Sequence, residues 1–245
     1  MKMFSKITKV LSAGVLAVAA SSAFAINIGG VVWDPASPAD FQSNGNVYET
    51  FATQVGDTVT GFGVITQFNG TTQPTFCPGC ELTFTFSLRL ASAQLVYNGP
   101  QGPVSAFTFD QVAVKMYVDN SQDYDQVAPS LASASNGVLF LDAVNNGLLS
   151  GSATNLFDPN LINGSGTGFL DVIGGIAAAN FDTNTKDNGS DIQYTSSFQS
   201  AQLNVPGYPL FGSVDLSGDT IPSPAPLALI GLGLLGMGIA RRRKS

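Results

Sequence analysis

Histidine is absent from the 245 residues, and cysteine, with two, and tryptophan, with one, are scarce. Without imidazole the chain lacks the commonest general base and the Ser-His-Asp and Cys-His arrangements of nucleophilic catalysis. Two thiols are also too few for a structural zinc site, which takes four ligands that are usually Cys or His. Basic side chains are rare in the body. From Ile26 to Thr220 there are three, Arg89, Lys115 and Lys186, against 17 acidic ones, a net charge of −14. Such a field repels DNA, RNA and anionic lipid headgroups, which argues against a nucleic-acid partner. Glutamate is limited to Glu49 and Glu81 in the same stretch, and the aspartates stand singly in turn-like settings. No pair of carboxylates is nominated for glycosidase chemistry, so no enzyme is expected. No segment of the body carries a 3.6-residue apolar stripe over three turns, which excludes a helical body.

What is present begins with the two ends. Met1 to Ala25 holds Lys2, Lys6 and Lys9, an apolar run from Val10 to Ala20, and Ala23-Phe24-Ala25, a small-x-small cleavage pattern. Residues 1–25 read as a secretory signal peptide, so the mature chain is expected to begin at Ile26. At the other end Leu227 to Ala240 is uncharged and is followed by Arg241, Arg242, Arg243 and Lys244. A helix over those 14 residues spans roughly 21 Å, short of the roughly 30 Å of a hydrocarbon core, but snorkelling arginines extend it. A basic cluster after an apolar segment holds that end on the cytoplasmic side, so the inner membrane is expected to retain the tail transiently while 26–220 stays outside. Gly231-Leu232-Gly233-Leu234-Leu235-Gly236 matches the dinucleotide fingerprint only by accident. The required strand, helix and distant acid are missing, and small residues along an apolar helix serve close helix packing instead.

Pro222-Ser223-Pro224, the apolar helix 227–240 and the basic cluster 241–244 stand in the order and spacing of a known tag. Segment 221–245 resembles the PEP-CTERM sorting domain of Gram-negative exported proteins. Ser223 stands where that family usually has glutamate. The resemblance implies recognition and cleavage by exosortase, an integral-membrane cysteine transpeptidase, with Pro222, Ser223, Pro224, Arg241, Arg242 and Arg243 as the sorting motif. It also implies a released cell-surface or extracellular-matrix protein, since members are commonly linked to exopolysaccharide, biofilm and floc formation.

The body, 26–220, is long enough for one sizeable core and shows no linker or repeat. In Glu81–Leu90, Leu82, Phe84, Phe86, Leu88 and Leu90 alternate with polar residues, the period of a half-buried strand. Val112, Val114, Met116 and Val118 do the same in 111–118. Further strands are expected at 47–55, 58–68, 104–109, 137–144, 168–173, 191–199 and 210–216, each bounded by Gly, Asn, Asp or Pro. Many short strands between turn signals predict an all-β, antiparallel β-sandwich or jelly-roll-like domain.

Cys77-Pro78-Gly79-Cys80 runs directly into the 81–90 strand. Pro-Gly at the centre favours a type II turn, and in an exported chain the pair Cys77 and Cys80 is expected to form a disulfide across its mouth. Two acidic loops offer the hard oxygen ligands that calcium takes, typically six to eight. One holds Asp119, Asp123 and Asp125; the other holds Asp182, Asn184 and Asp187, where Lys186 occupies a ligand position of the EF-hand pattern. Hairpin chemistry uses the same residue types. Asn69-Gly70-Thr71, Asn163-Gly164-Ser165 and Asn188-Gly189-Ser190 read as Asn-Gly turns, and Trp33, beside two valines, reads as core. Two functions of different class follow: a structural or adhesive matrix protein, or a carbohydrate-binding module, with or without calcium.

Overall fold

The computed structural model describes residues 25–35, 37 and 41–221. The expectations for 1–24 and 222–245, the signal peptide and sorting tag with Pro222, Ser223, Pro224 and Arg241 to Arg243, lie outside the described residues. Among the described residues no helix is long and apolar enough to cross a membrane.

A short hairpin, β1 (Ile26–Ile28) and β2 (Val31–Trp33), precedes β3 (Phe41–Glu49) and β4 (Thr58–Phe68). After β5 (Thr71–Thr72) and the single turn α1 (Gln73–Phe76) come β6 (Glu81–Gly99), β7 (Gly102–Asp119), β8 (Val138–Thr154) and β9 (Asn163–Gly174). The single turn α2 (Ala178–Phe181) and a 3-10 turn at Asp187–Gly189 lead to β10 (Ile192–Val205) and β11 (Tyr208–Gly218). Each long strand pairs antiparallel with the next, and β11 returns to pair with β3. The result is a closed eight-stranded up-and-down barrel.

The all-β, antiparallel expectation holds; the sandwich or jelly roll gives way to the barrel. Both architectures use the same two-residue alternation, so the pattern cannot separate them. Closure is decided by the distant pairing of β3 with β11, Phe41 opposite Gly218 through to Glu49 opposite Leu210, which removes both sheet edges.

Large side chains fit inside so narrow a barrel because glycines face them. Gly61 is registered against Phe86 and Gly63 against Phe84, Phe107 against Gly151, and Phe198 against Gly164. Each ring lies over the bare backbone of its neighbour, and no Cβ competes for the space. This pairing also explains a correction: Asn163-Gly164-Ser165 is not a turn but the start of β9, whose first three inward positions, Gly164, Gly166 and Gly168, are glycines. Asn69-Gly70 and Asn188-Gly189 do turn, all four at positive φ. A second correction joins the expected strands 104–109 and 111–118 into β7. Gln111, at φ 50°, absorbs one residue in a bulge, so the inward phase passes from Phe107 and Phe109 to Val112 and Val114.

One end of the barrel is plugged. Trp33 lies 3% exposed among Phe68, Phe140 and Phe181, with ring centroids 5.4–6.3 Å away, and its indole N–H donates to Thr220 Oγ1 at 3.3 Å. Buried rings of this size contribute roughly 1.5–3 kcal/mol each. The Cys77–Cys80 disulfide sits in the same plug, its Cα atoms 5.0 Å apart. Gly79 has φ 88° and the Cys80 N–H donates to the Cys77 carbonyl at 3.1 Å, so the Pro-Gly turn forms as expected. Both described chain ends leave here: Ile26 is in the plug core, and Ile221 exchanges backbone and side-chain hydrogen bonds with Asn180. The opposite end is a mouth beneath the β3–β4 and β8–β9 loops.

Candidate binding surfaces

Strand register builds a polar belt on the outside of the barrel. Ser92, Thr108, Ser150, Thr167, Thr195, Asp215, Asn44 and Gln67 are consecutive cross-strand partners over all eight strands. Below them run Gln94, Ala106, Ser152, Ser165, Ser197, Ser213 and Asn46 in the same way. Neighbouring hydroxyls bond to one another, Ser92 Oγ to Thr108 Oγ1 at 2.6 Å and Ser197 Oγ to Ser213 Oγ at 2.9 Å. A barrel facing lipid carries an apolar outer band with a polar lumen; this one has the polarity reversed. Between β6 and β10 the belt hollows into a groove of about 700 Å³ whose lining residues carry no charge. Its signal in the sequence is Ser/Thr at alternate positions, even-numbered in β7 and β8 and odd-numbered in β9 and β10. Glycine masks it in β9.

The first acidic loop forms a cluster with a member that the loop alone does not show. Oxygens of Glu81, Asp119 and Asp123 lie within 4.8 Å of one another. Glu81 opens β6 directly opposite Asp119, the last residue of β7, so strand register makes the pair. Glu81 is 3% exposed and accepts the Tyr124 N–H at 3.0 Å. Burial pushes its carboxyl above the ordinary range, and the charges of Asp123 and Asp119 push the same way against that hydrogen bond. Asp125 turns away to accept the Val127 N–H at 2.8 Å.

In the second loop the organiser is Asp191, buried at 2% exposure. It accepts the N–H groups of Val172, Thr183 and Asn184, each at 2.7 Å. Asp182 accepts the Asn184 amide at 2.9 Å, and the carbonyl of Asp187 accepts the Ser190 hydroxyl at 2.7 Å. Among the described residues Asp182 and Asp187 belong to no group of three converging acids. Turn formation accounts for the contacts that this loop makes.

The third feature, inside the mouth, has no counterpart in the sequence reading. Glu49 ends β3 facing inward, 7% exposed, in a cavity of about 50 Å³ walled by Phe86, Leu88, Phe107, Leu149 and Phe198. Among the described residues nothing donates a hydrogen bond to its carboxyl. Burial pushes that carboxyl up to about 8. Tyr194, on β10, also lines the cavity, and its phenol is pushed up by burial and then by Glu49, against a hydrogen bond with Ser196. Glu49 escapes notice in the sequence because it occurs as an isolated polar residue at the end of a strand whose inward positions include Ser43 and Gly45.

Compared with protein-family models, with curated proteins and with solved structures, the chain matches none.

Proposed function

We propose that this is an exported, non-enzymatic protein of the cell surface or extracellular matrix, structural or adhesive, that associates with neutral exopolysaccharide. The observation that supports it best is the uncharged hydroxyl groove of about 700 Å³ on a body whose net charge is −14. Hydroxyls and amides exchange hydrogen bonds with a sugar polymer and its water at little cost, and many weak contacts add along a repeating chain. The plug end leads to the PEP-CTERM-like tag, so a molecule held by that tag presents its mouth and flanks away from the membrane.

Retention on an insoluble neutral polysaccharide is the test. Thr167→Glu with Ser152→Glu, both outward on the barrel, is expected to cut the bound fraction about tenfold, the equivalent of about 1.4 kcal/mol. Binding by the unaltered protein should barely respond to salt, because the groove has no charge to screen. Equal retention of the double variant removes the groove from the reading. Sorting is checked separately by intact mass. Protein from the culture surface is expected to begin at Ile26 and end near Pro222–Pro224, through an exosortase-type transpeptidase; a sole form retaining Leu227–Ser245 contradicts the cleavage.

The converging acids favour a second reading, a carbohydrate-binding module that uses calcium. A divalent cation between Glu81, Asp119 and Asp123 would relieve their repulsion, with backbone carbonyls or water completing the shell. Millimolar calcium is then expected to stabilise the fold, by about 2.7 kcal/mol at a hundredfold excess over Kd. Thermal unfolding in calcium and in sodium chloride of matched ionic strength decides. Equal shifts mean screening alone, whereas a calcium shift lost in Glu81→Gln assigns the site.

A further inference from the structure

We infer that the mouth cavity of the barrel binds a small primary ammonium compound, its head paired with Glu49 and its carbon body against the rings of Phe86, Phe107 and Phe198. The cavity lies behind the wall that carries the outer groove, and Phe107, Ser150, Gly166, Thr167 and Ser196 line both; binding in it rests on Glu49 and not on what the groove binds. Glu49 is 7% exposed, and among the described residues its carboxyl meets no donor. An acid so placed stays protonated in the empty cavity and ionises only for a partner that brings both hydrogen bonds and positive charge. The body cannot supply one, since its three cations are engaged elsewhere on the outside. Arg89 pairs with Asp110 at 2.8 Å, Lys115 with Asp142 at 3.3 Å and Lys186 with Asp219 at 3.5 Å. A carboxylate among phenyl faces is the donor set that an ammonium takes, because the rings attract its N–H and C–H edges while excluding water.

Size and access narrow the ligand. The cavity of about 50 Å³ has room for roughly three to five waters at about 10–15 Å³ each, hence for a ligand of about that many heavy atoms. Phe51 and Ala52 of the β3–β4 loop and Leu156 of the β8–β9 loop line it from the mouth side, so entry requires only those loops to part. Protons balance as follows: the protonated acid and R–NH3+ give the carboxylate–ammonium pair and one H+ released to solvent. Tyr194 of β10 is the other titratable residue in the lining; Gly61 of β4 and Leu210 of β11 flank Glu49 without charge, and Asp57 in the loop above is held by Thr53 and Gln54. Affinity therefore rises with pH by about tenfold per unit until Glu49 ionises unaided, near 8.

Calorimetric titration of the purified exported protein with n-propylammonium chloride tests the site, with 1-propanol and sodium chloride as controls. Saturable binding of propylammonium is expected, with a heat that varies with buffer ionisation as one proton is released, and at least tenfold weaker binding of propanol. Glu49→Gln should weaken propylammonium at least tenfold and abolish the proton release. Ala52→Leu keeps the acid and fills the space, and should weaken binding likewise. The inference is overturned if propylammonium behaves as sodium does, if propanol binds as tightly, or if Glu49→Gln binds unchanged.

Discussion

Glu49→Gln is expected to remove most of a loss of stability that the unaltered protein shows between pH 4.5 and 8. In the folded chain the carboxyl holds its proton up to about 8, against an ordinary 4.5, and burial is the cause. Across that interval the folded state binds one proton more than the unfolded state, so stability falls by about 1.4 kcal/mol per pH unit. The stability is fully present below about 4.5, is lost as pH rises, and is gone above about 8, a total on the order of 5 kcal/mol. Against a net stability of roughly 5–15 kcal/mol for a typical domain this is a large share. The glutamine amide carries no titratable proton, so urea unfolding of the variant should show a much shallower fall over the same range, the remaining slope belonging to Glu81, whose carboxyl burial also raises. Parallel profiles for the two proteins would mean that Glu49 ionises freely in the fold. Tyr194 lies too far up the scale to contribute within this window.

Legibility in the sequence followed the size of the inward side chain. In β6, Leu82, Phe84, Phe86, Leu88 and Leu90 all face the core, and the strand is plain in the sequence. Beta-strand β4 likewise occupies the expected 58–68. In β3 the inward residues are Phe41, Ser43, Gly45, Val47 and Glu49, only two of them apolar, and the expected 47–55 was displaced accordingly. Where Gly164 and Gly166 face inward to make room for rings, the alternation has no hydrophobic member to read. The local turn at Pro78-Gly79 was legible because its chemistry lies within four residues. Ring closure, the pairing of Glu81 with Asp119 and the burial of Glu49 depend on partners far away in the chain, which period and spacing do not encode. The polar belt has the same origin, since its hydroxyls are adjacent only through register.

Gly63→Ala is expected to cost about 3 kcal/mol or more, although a glycine-to-alanine change at a relaxed strand position stabilises by about 0.4–1 kcal/mol through the unfolded chain. Gly63 faces the barrel interior on β4, registered between Val47 of β3 and Phe84 of β6. An added Cβ would stand 2.6 Å from the Phe84 ring and would also overlap the Asn46 carbonyl oxygen. Phe84 is 4% exposed, and the interior void beside it, about 10 Å³, is too small to take the displaced ring. Moving the carbonyl means opening the β3–β4 ladder, which is one of the pairings that close the ring. A double-mutant cycle divides the two contacts. Phe84→Leu removes the ring but leaves the carbonyl, so the pair should be less destabilised than the sum of the singles by about 1 kcal/mol, with most of the Gly63→Ala cost remaining. Gly70→Ala is the control, because Gly70 has φ 74° and open space around its Cα. It should cost only about 1–2 kcal/mol, from the left-handed backbone alone. If guanidinium unfolding gives Gly63→Ala a cost no larger than that of Gly70→Ala, the interior is looser than the Gly–Phe register implies, and the rings do not depend on glycine for their space.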